Sequence, residues 1–316
     1  MIPKSGLELI RKNCDAIVWQ NELPPTQTEL KIRLSGVQGL LCLLTDKVDK
    51  EIIESDPNLR IISNMAVGVD NIDITTASRL GIPVGNTPGV LTDATADFTI
   101  ALMMAAGRRV VEAAHYVREG NWKTWGPQLL LGADFSEATL GIIGFGRIGQ
   151  AVTKRARGFG MNVIYHDPSV KPVHEAIQVE LEEIFRRSDF ISLHVPLTDA
   201  TRQLINTRTL EMCKPNAILL NTARGGVVDH DALALALKAK RIFAAALDVT
   251  DPEPLPVDHP LLNLDNCLVT PHIASASLNT RSRMAEMAAQ NLLAGLAGER
   301  LPNCVNPEVY DRKFAE

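Results

Sequence analysis

Short apolar runs alternate with amphipathic stretches along almost the whole chain. Runs that read as strands fall at 39–44, 60–65, 83–85, 140–143, 162–165, 190–194, 217–221, 244–247 and 267–270. Several are continuous Ile, Leu, Val and Ala rather than alternating, which suits parallel strands covered by helices on both faces. Strands separated by amphipathic stretches predict β-α-β winding and an α/β fold. Within 251–260, Pro252, Pro254, Pro256 and Pro260 deny the chain a helix or central strand, so a rigid loop is expected there. No internal repeat or low-complexity segment interrupts the pattern.

The strongest local signal lies in mid-chain. The apolar run 140–143 leads into Gly144-x-Gly146-x-x-Gly149, and a helical pattern follows over 150–158. Between a buried strand and a helix each glycine has a separate task. The first permits a tight turn, the second lets backbone approach a pyrophosphate, and the third lets helix pack on strand. The helix N-terminus then turns its unpaired N–H groups to the phosphates. An acidic residue is expected after the next strand, and Asp167 stands there. Its carboxylate would accept from a ribose diol and repel a 2′-phosphate, so NAD, with NADH ahead of NADPH, is the expected cofactor; Ser169 and Lys171 stand close by.

A chain of 316 residues is long for one core. With the nucleotide fold beginning near residue 97, about a hundred residues precede it. The helical stretch 97–119 would cross out of the first domain and the amphipathic 282–296 would cross back. The expected architecture is two doubly wound parallel-sheet domains. A Rossmann NAD-binding domain, 97–280, is inserted in a flavodoxin-like substrate domain, 1–96 plus 281–316, and the active site is expected in the cleft between them.

Composition narrows the classes. Apolar residues are 46% and charged residues 22%, ordinary for a globular protein, and the net charge of −5 without a basic run argues against nucleic acid. Apolar stretches such as 99–106 fall short of the roughly 20 residues that cross a bilayer. The N-terminus shows no export signal, and five scattered cysteines without a CxxC pair predict reduced thiols, no metal and a cytoplasmic location.

Three further segments carry chemistry. Asn221-Thr-Ala-Arg-Gly-Gly226 follows a buried run, so Arg224 falls at a strand's carboxyl end, where its guanidinium could grip a substrate carboxylate. Leu247-Asp-Val-Thr-Asp-Pro-Glu-Pro254 offers Asp248 and Glu253, and Thr270-Pro-His272 offers an imidazole. A carboxylate beside an imidazole fixes its tautomer and favours its protonated form, which suits a proton donor to a carbonyl. With hydride from a nicotinamide, that constellation reduces a ketone to an alcohol.

GFGRIG, NTARGG, LDVTDPEP and TPHIASAS, in this order and spacing, resemble the D-isomer-specific 2-hydroxyacid dehydrogenase family over nearly the whole chain. The resemblance implies that Arg224, Glu253 and His272 form a catalytic triad, and that Val67 and Gly68 offer backbone N–H groups to the substrate carboxylate. It places Arg147 and Ile148 at the pyrophosphate, and His194, Val195, Pro196, Thr222 and Ala223 along the dinucleotide. Thr95, Asp248, Ala274 and Ser275 would lie at the nicotinamide. GLLCLLTDKVD, NWKTWGP and VTDPEPLPVDHPLLNLDNC look most like the glyoxylate/hydroxypyruvate reductase branch, which implies a small 2-keto or 2-hydroxy acid substrate. In that branch Trp125 would reach from one subunit of a homodimer into the pocket of the other.

Other readings stay open: a different D-2-hydroxyacid dehydrogenase, such as a short D-3-phosphoglycerate enzyme, or a non-catalytic NAD-sensing module. Members of the family usually open with a strand before the Ile-Pro turn, whereas this sequence starts at Met1-Ile2-Pro3. An extension upstream of Met1 is therefore expected.

Overall fold

A computed structural model describes residues 1–170 and 174–314. The chain divides into two compact units, Met1–Leu91 with Ala276–Glu316, and Thr92–Ser275. Both crossings come a few residues before the expected 96/97 and 280/281. Helix boundaries explain the difference. The helix expected to start at Asp97 already starts at Thr92, and the returning helix spans Leu278–Leu296 behind a Ser277 cap whose side chain accepts the Thr280 N–H.

In the first unit α1 (Lys4–Arg11) and α2 (Gln27–Leu34) precede three parallel strands. These are β1 (Gly39–Cys42), β2 (Ile61–Asn64) and β3 (Val84–Gly85), with α3 (Lys50–Ile53) and α4 (Ile74–Arg79) in the crossovers. Helix Leu278–Leu296 lies across β2 and β1. Gly295 makes that possible, because a Cβ there would come within 2.6 Å of Ile61. Leu30, Leu34, Val48, Ile52 and Ile53 cover the other face. Each such side chain removed from water contributes about 1.5–3 kcal/mol. All of β2 is buried, whereas β1, at the sheet edge, is only half-buried before Cys42.

The second unit opens with α5 (Thr92–Gly107) and α6 (Val110–Arg118) and holds a seven-stranded parallel sheet. The Gly-rich motif joins β4 (Thr139–Ile143) to α7 (Arg147–Gly158), and β5 (Asn162–His166) follows. Then come β6 (Ile177–Gln178), α8 (Leu181–Arg187), β7 (Phe190–Leu193), α9 (Thr207–Met212) and β8 (Ile218–Asn221). Helix α10 (His230–Lys238), β9 (Ala244–Leu247) and β10 (Cys267–Val269) complete it. The order β10-β9-β8-β7-β4-β5-β6 reverses direction between β4 and β7, and such switch points leave a crevice at the strands' carboxyl ends. Strands β7, β8 and β9 are buried at every position, Ser192 and Asn221 being their polar exceptions, and a hydrophobic cluster fills each side of the sheet. Strand β6 was not expected: it has two residues, both exposed, too few to show a period.

The proline-rich stretch forms an irregular loop up to His259 and a short 3₁₀ turn at Pro260–Asn263. Among the described residues no helix is long and apolar enough to cross a membrane, and no cluster of three or more His, Cys, Asp or Glu is placed to hold a metal.

Candidate active site

The cofactor turn is shaped by its three glycines in three different ways. Gly144 has φ +92°, and a Cβ there would lie 2.6 Å from the His194 carbonyl, so only glycine lets β4 end against the end of β7. Gly149 is buried where a Cβ would strike the Gly144 carbonyl, which seats α7 on the strand. Gly146 differs: it is exposed, and a Cβ there meets nothing within 4 Å. Open space over the second glycine, beside a helix start with no side-chain cap, fits a pyrophosphate. Arg147 is exposed and Ile148 half-buried at that start. The Asp167 carboxylate accepts from the Phe145 N–H at 2.7 Å and from the Ser169 N–H at 2.8 Å. Lys171 lies outside the described residues.

Around that turn, His194 Nε2 pairs with Ser192 Oγ at 2.8 Å, and burial pushes its pKa down to about 4, so the ring is neutral at physiological pH. Val195 is half-buried and Pro196 exposed beside it. Thr222 is buried, its hydroxyl 2.9 Å from that of Thr99, and the Thr99 hydroxyl also donates to the Thr95 carbonyl. Thr95, expected in the first domain by the 1–96 boundary, therefore belongs to the second unit, on α5.

Arg224 is presented by a turn that Asn221 holds together. Buried at the end of β8, Asn221 accepts the Ala223 N–H at 3.0 Å and donates to the Arg224 carbonyl at 2.8 Å. At Gly225 the turn runs so close to the Thr250 backbone that a Cβ would overlap the Thr250 carbonyl. That approach sets the 250–254 loop beside the Arg224 turn. Within the loop the Thr250 hydroxyl donates to the Pro252 carbonyl at 2.8 Å, and the Thr250 N–H reaches Glu253 Oε2 at 3.4 Å. The other carboxylate oxygen, Oε1, lies 2.6 Å from His272 Nδ1. A carboxylate can only accept, so Nδ1 carries the hydrogen of this bond.

His272 itself has φ +53°, a left-handed conformation that a side chain with a Cβ resists. Asp248, 1% exposed, supplies the restraint. Its carbonyl accepts the His272 N–H at 2.9 Å. Its carboxylate accepts from Thr270 Oγ at 2.6 Å, the Ile273 N–H at 2.9 Å and the Ala274 N–H at 2.7 Å. Ala274 and Ser275 are buried directly after it. Asp248, expected at the nicotinamide, is thus engaged on all sides by the segment that carries His272. Replacing it by Asn would turn an amide N–H toward one of those donors. With hydrogen bonds to a charged group worth about 1.5–3 kcal/mol, D248N should lower kcat about 10–100-fold while KM for the nicotinamide dinucleotide moves little. Steady-state kinetics check this, and an unchanged kcat would remove Asp248 from the positioning of His272.

Trp122 and Trp125 stand on the loop after α6, 60% and 78% exposed. In the first unit the Val67 carbonyl accepts from Asn86 Nδ2 at 2.8 Å and the Gly68 carbonyl from Asn64 Nδ2 at 3.0 Å. These asparagines, like Asn221, Thr99 and Gly225, were not singled out from sequence. A polar residue at the end of an apolar run was the signal available for Asn64 and Asn221.

A glycine turn shaped for a pyrophosphate, with an imidazole–carboxylate pair and a guanidinium turn at neighbouring strand ends, defines a nicotinamide-dinucleotide oxidoreductase. A model of the D-isomer specific 2-hydroxyacid dehydrogenase NAD binding domain matches residues 100–274. The glyoxylate reductase of Korarchaeum cryptofilum is 51% identical over 313 residues, 98% of this chain and 94% of that protein. The glyoxylate reductase of Thermococcus litoralis is 48% identical over 316 residues, 98% and 95% of the two chains. The crystal structure of the TT0316 protein from Thermus thermophilus superposes with a TM-score of 0.92 at 48% identity, covering 96% of this chain and 97% of that one. The chain belongs to the D-isomer specific 2-hydroxyacid dehydrogenase family.

Proposed function

We propose that the protein is an NADH-dependent reductase of glyoxylate and hydroxypyruvate, forming glycolate and D-glycerate. The 2.6 Å bond between His272 and Glu253, set beside the Arg224 turn, carries this reading, and relatives named glyoxylate reductase support its substrate. When bound, NADH supplies the hydride that reaches the keto carbon. Arg224 grips the substrate carboxylate through two parallel N–H bonds and draws charge from the adjacent carbonyl. With Nδ1 engaged by Glu253, proton delivery to the carbonyl oxygen falls to His272 Nε2. The turn 144–149 with Arg147 and Ile148 takes the pyrophosphate, and Asp167 takes the ribose diol, which favours NADH over NADPH. Five free cysteines accord with a reducing, cytoplasmic setting.

The reading is tested by following NADH absorbance with glyoxylate, hydroxypyruvate, pyruvate and a phosphorylated keto acid. Fastest turnover with the first two is expected. No oxidation with any of them would refute it and favour a binding module.

The working unit we read as a homodimer. Helix α6 has no buried residue, and Val110, Val111 and Val117 on it, with Trp122, Trp125 and Leu131 beyond it, are all exposed. Apolar surface of that extent asks for a second copy. The double variant V110D/V117D should elute as a monomer in size-exclusion chromatography with light scattering, against a dimer for the wild type. A monomeric wild type would end this part of the reading.

A further inference from the structure

The Asp167 carboxylate binds two backbone segments at once. Its Oδ2 accepts the N–H of Phe145, which lies between the first two glycines of the turn, at 2.7 Å. Its Oδ1 accepts the Ser169 N–H, in the loop after β5, at 2.8 Å, and its carbonyl accepts Gln178 Nε2 at 2.9 Å. Next to it the Gly144 N–H donates to the His166 carbonyl at 3.0 Å, and the fully buried Phe145 ring stacks on Tyr165 with centroids 3.8 Å apart. The turn that takes the pyrophosphate is therefore tied to the end of β5, and Asp167 supplies the side-chain hydrogen bond of that tie.

We propose that Asp167 is a positioning residue for the glycine turn as well as the group that selects the cofactor, and that this double engagement makes the selection strict. The inference rests on the NADH reading above. A carboxylate held by one N–H could rotate away from a 2′-phosphate at little cost. This one must break bonds from two segments to do so, and breaking the Phe145 bond loosens the turn, leaving it the Gly144–His166 bond and the Phe145–Tyr165 stack. Selection and turn geometry thus share one pair of oxygens.

The two functions separate in two variants. Asn at 167 keeps an oxygen for the Phe145 N–H and drops the charge, while the exposed Ser169 N–H turns to water. Ala at 167 drops both. D167N should bind NADPH about 10-fold more tightly than the wild type does and lose less than about 10-fold in NADH affinity. D167A should weaken NADH and NADPH together, about 10–100-fold, the range for losing a charge-assisted hydrogen bond. In the nucleotide-free protein, the Phe145 amide should exchange with deuterium about 10-fold faster in D167A than in D167N or the wild type.

Affinities come from nucleotide fluorescence titration and exchange from mass spectrometry of a peptide spanning 140–150. Equal NADPH gains in both variants, with unchanged Phe145 exchange, would overturn the positioning role and leave the NADH preference standing. A wild type that binds NADPH more tightly would instead overturn the NADH reading, while the exchange rates still decide the tie to the turn.

Discussion

Replacing His272 by Ala should cut kcat with glyoxylate by roughly 10²–10⁴-fold, the range for removing a general acid. The ring is held by a 2.6 Å bond to Glu253 and by a backbone pinned to Asp248, so the imidazole is oriented as the proposed proton donor requires. Alanine keeps the fold around it, because the restraint on this segment comes from the Asp248 contacts with Thr270, Ile273 and Ala274. NADH affinity, measured separately by fluorescence, should stay within about 2-fold, well under the 1.4 kcal/mol that corresponds to a factor of ten. Parallel losses of turnover and of NADH affinity would show that His272 serves the cofactor and not the proton.

Arg224→Lys keeps the charge and loses the planar pair of donors. Two charge-assisted bonds to one carboxylate become at most one, and at about 1.5–3 kcal/mol for such a bond kcat/KM for glyoxylate should fall about 10–100-fold. Most of that loss should appear as a higher KM for the keto acid. Unchanged KM for glyoxylate and for hydroxypyruvate would mean that the guanidinium does not hold the substrate's acid group.

Much of the fold could be read from one dimension because parallel strands covered on both faces announce themselves as unbroken apolar runs. Strand 244–247 follows that rule throughout, 218–221 up to its final Asn221 and 190–193 apart from Ser192, and the glycine turn was legible because each of its glycines answers a separate steric demand. What escaped depends on distances that no local pattern encodes. The edge strand Ile177–Gln178 has no apolar face to display. The start of α5 at Thr92 is decided by how that helix packs along α7, which the polar Thr92 and Asp93 do not advertise. At the candidate site, Arg224, Glu253 and His272 could be singled out by residue type at strand ends. The work of Asp248 could not, since its partners lie over 20 residues further along the chain.

The close pass at Gly225 has a mechanical consequence. With no room for even a methyl group between the turn that presents Arg224 and the backbone of Thr250, neither strip of chain can slide past the other. Because Glu253 belongs to the Thr250 strip, a ligand pulling on the guanidinium would shift the carboxylate that orients the His272 ring, while Asp248 holds the His272 backbone in place. On the proposed reading, the jaw that grips the acid and the carboxylate that aims the proton source would be cast in a single piece.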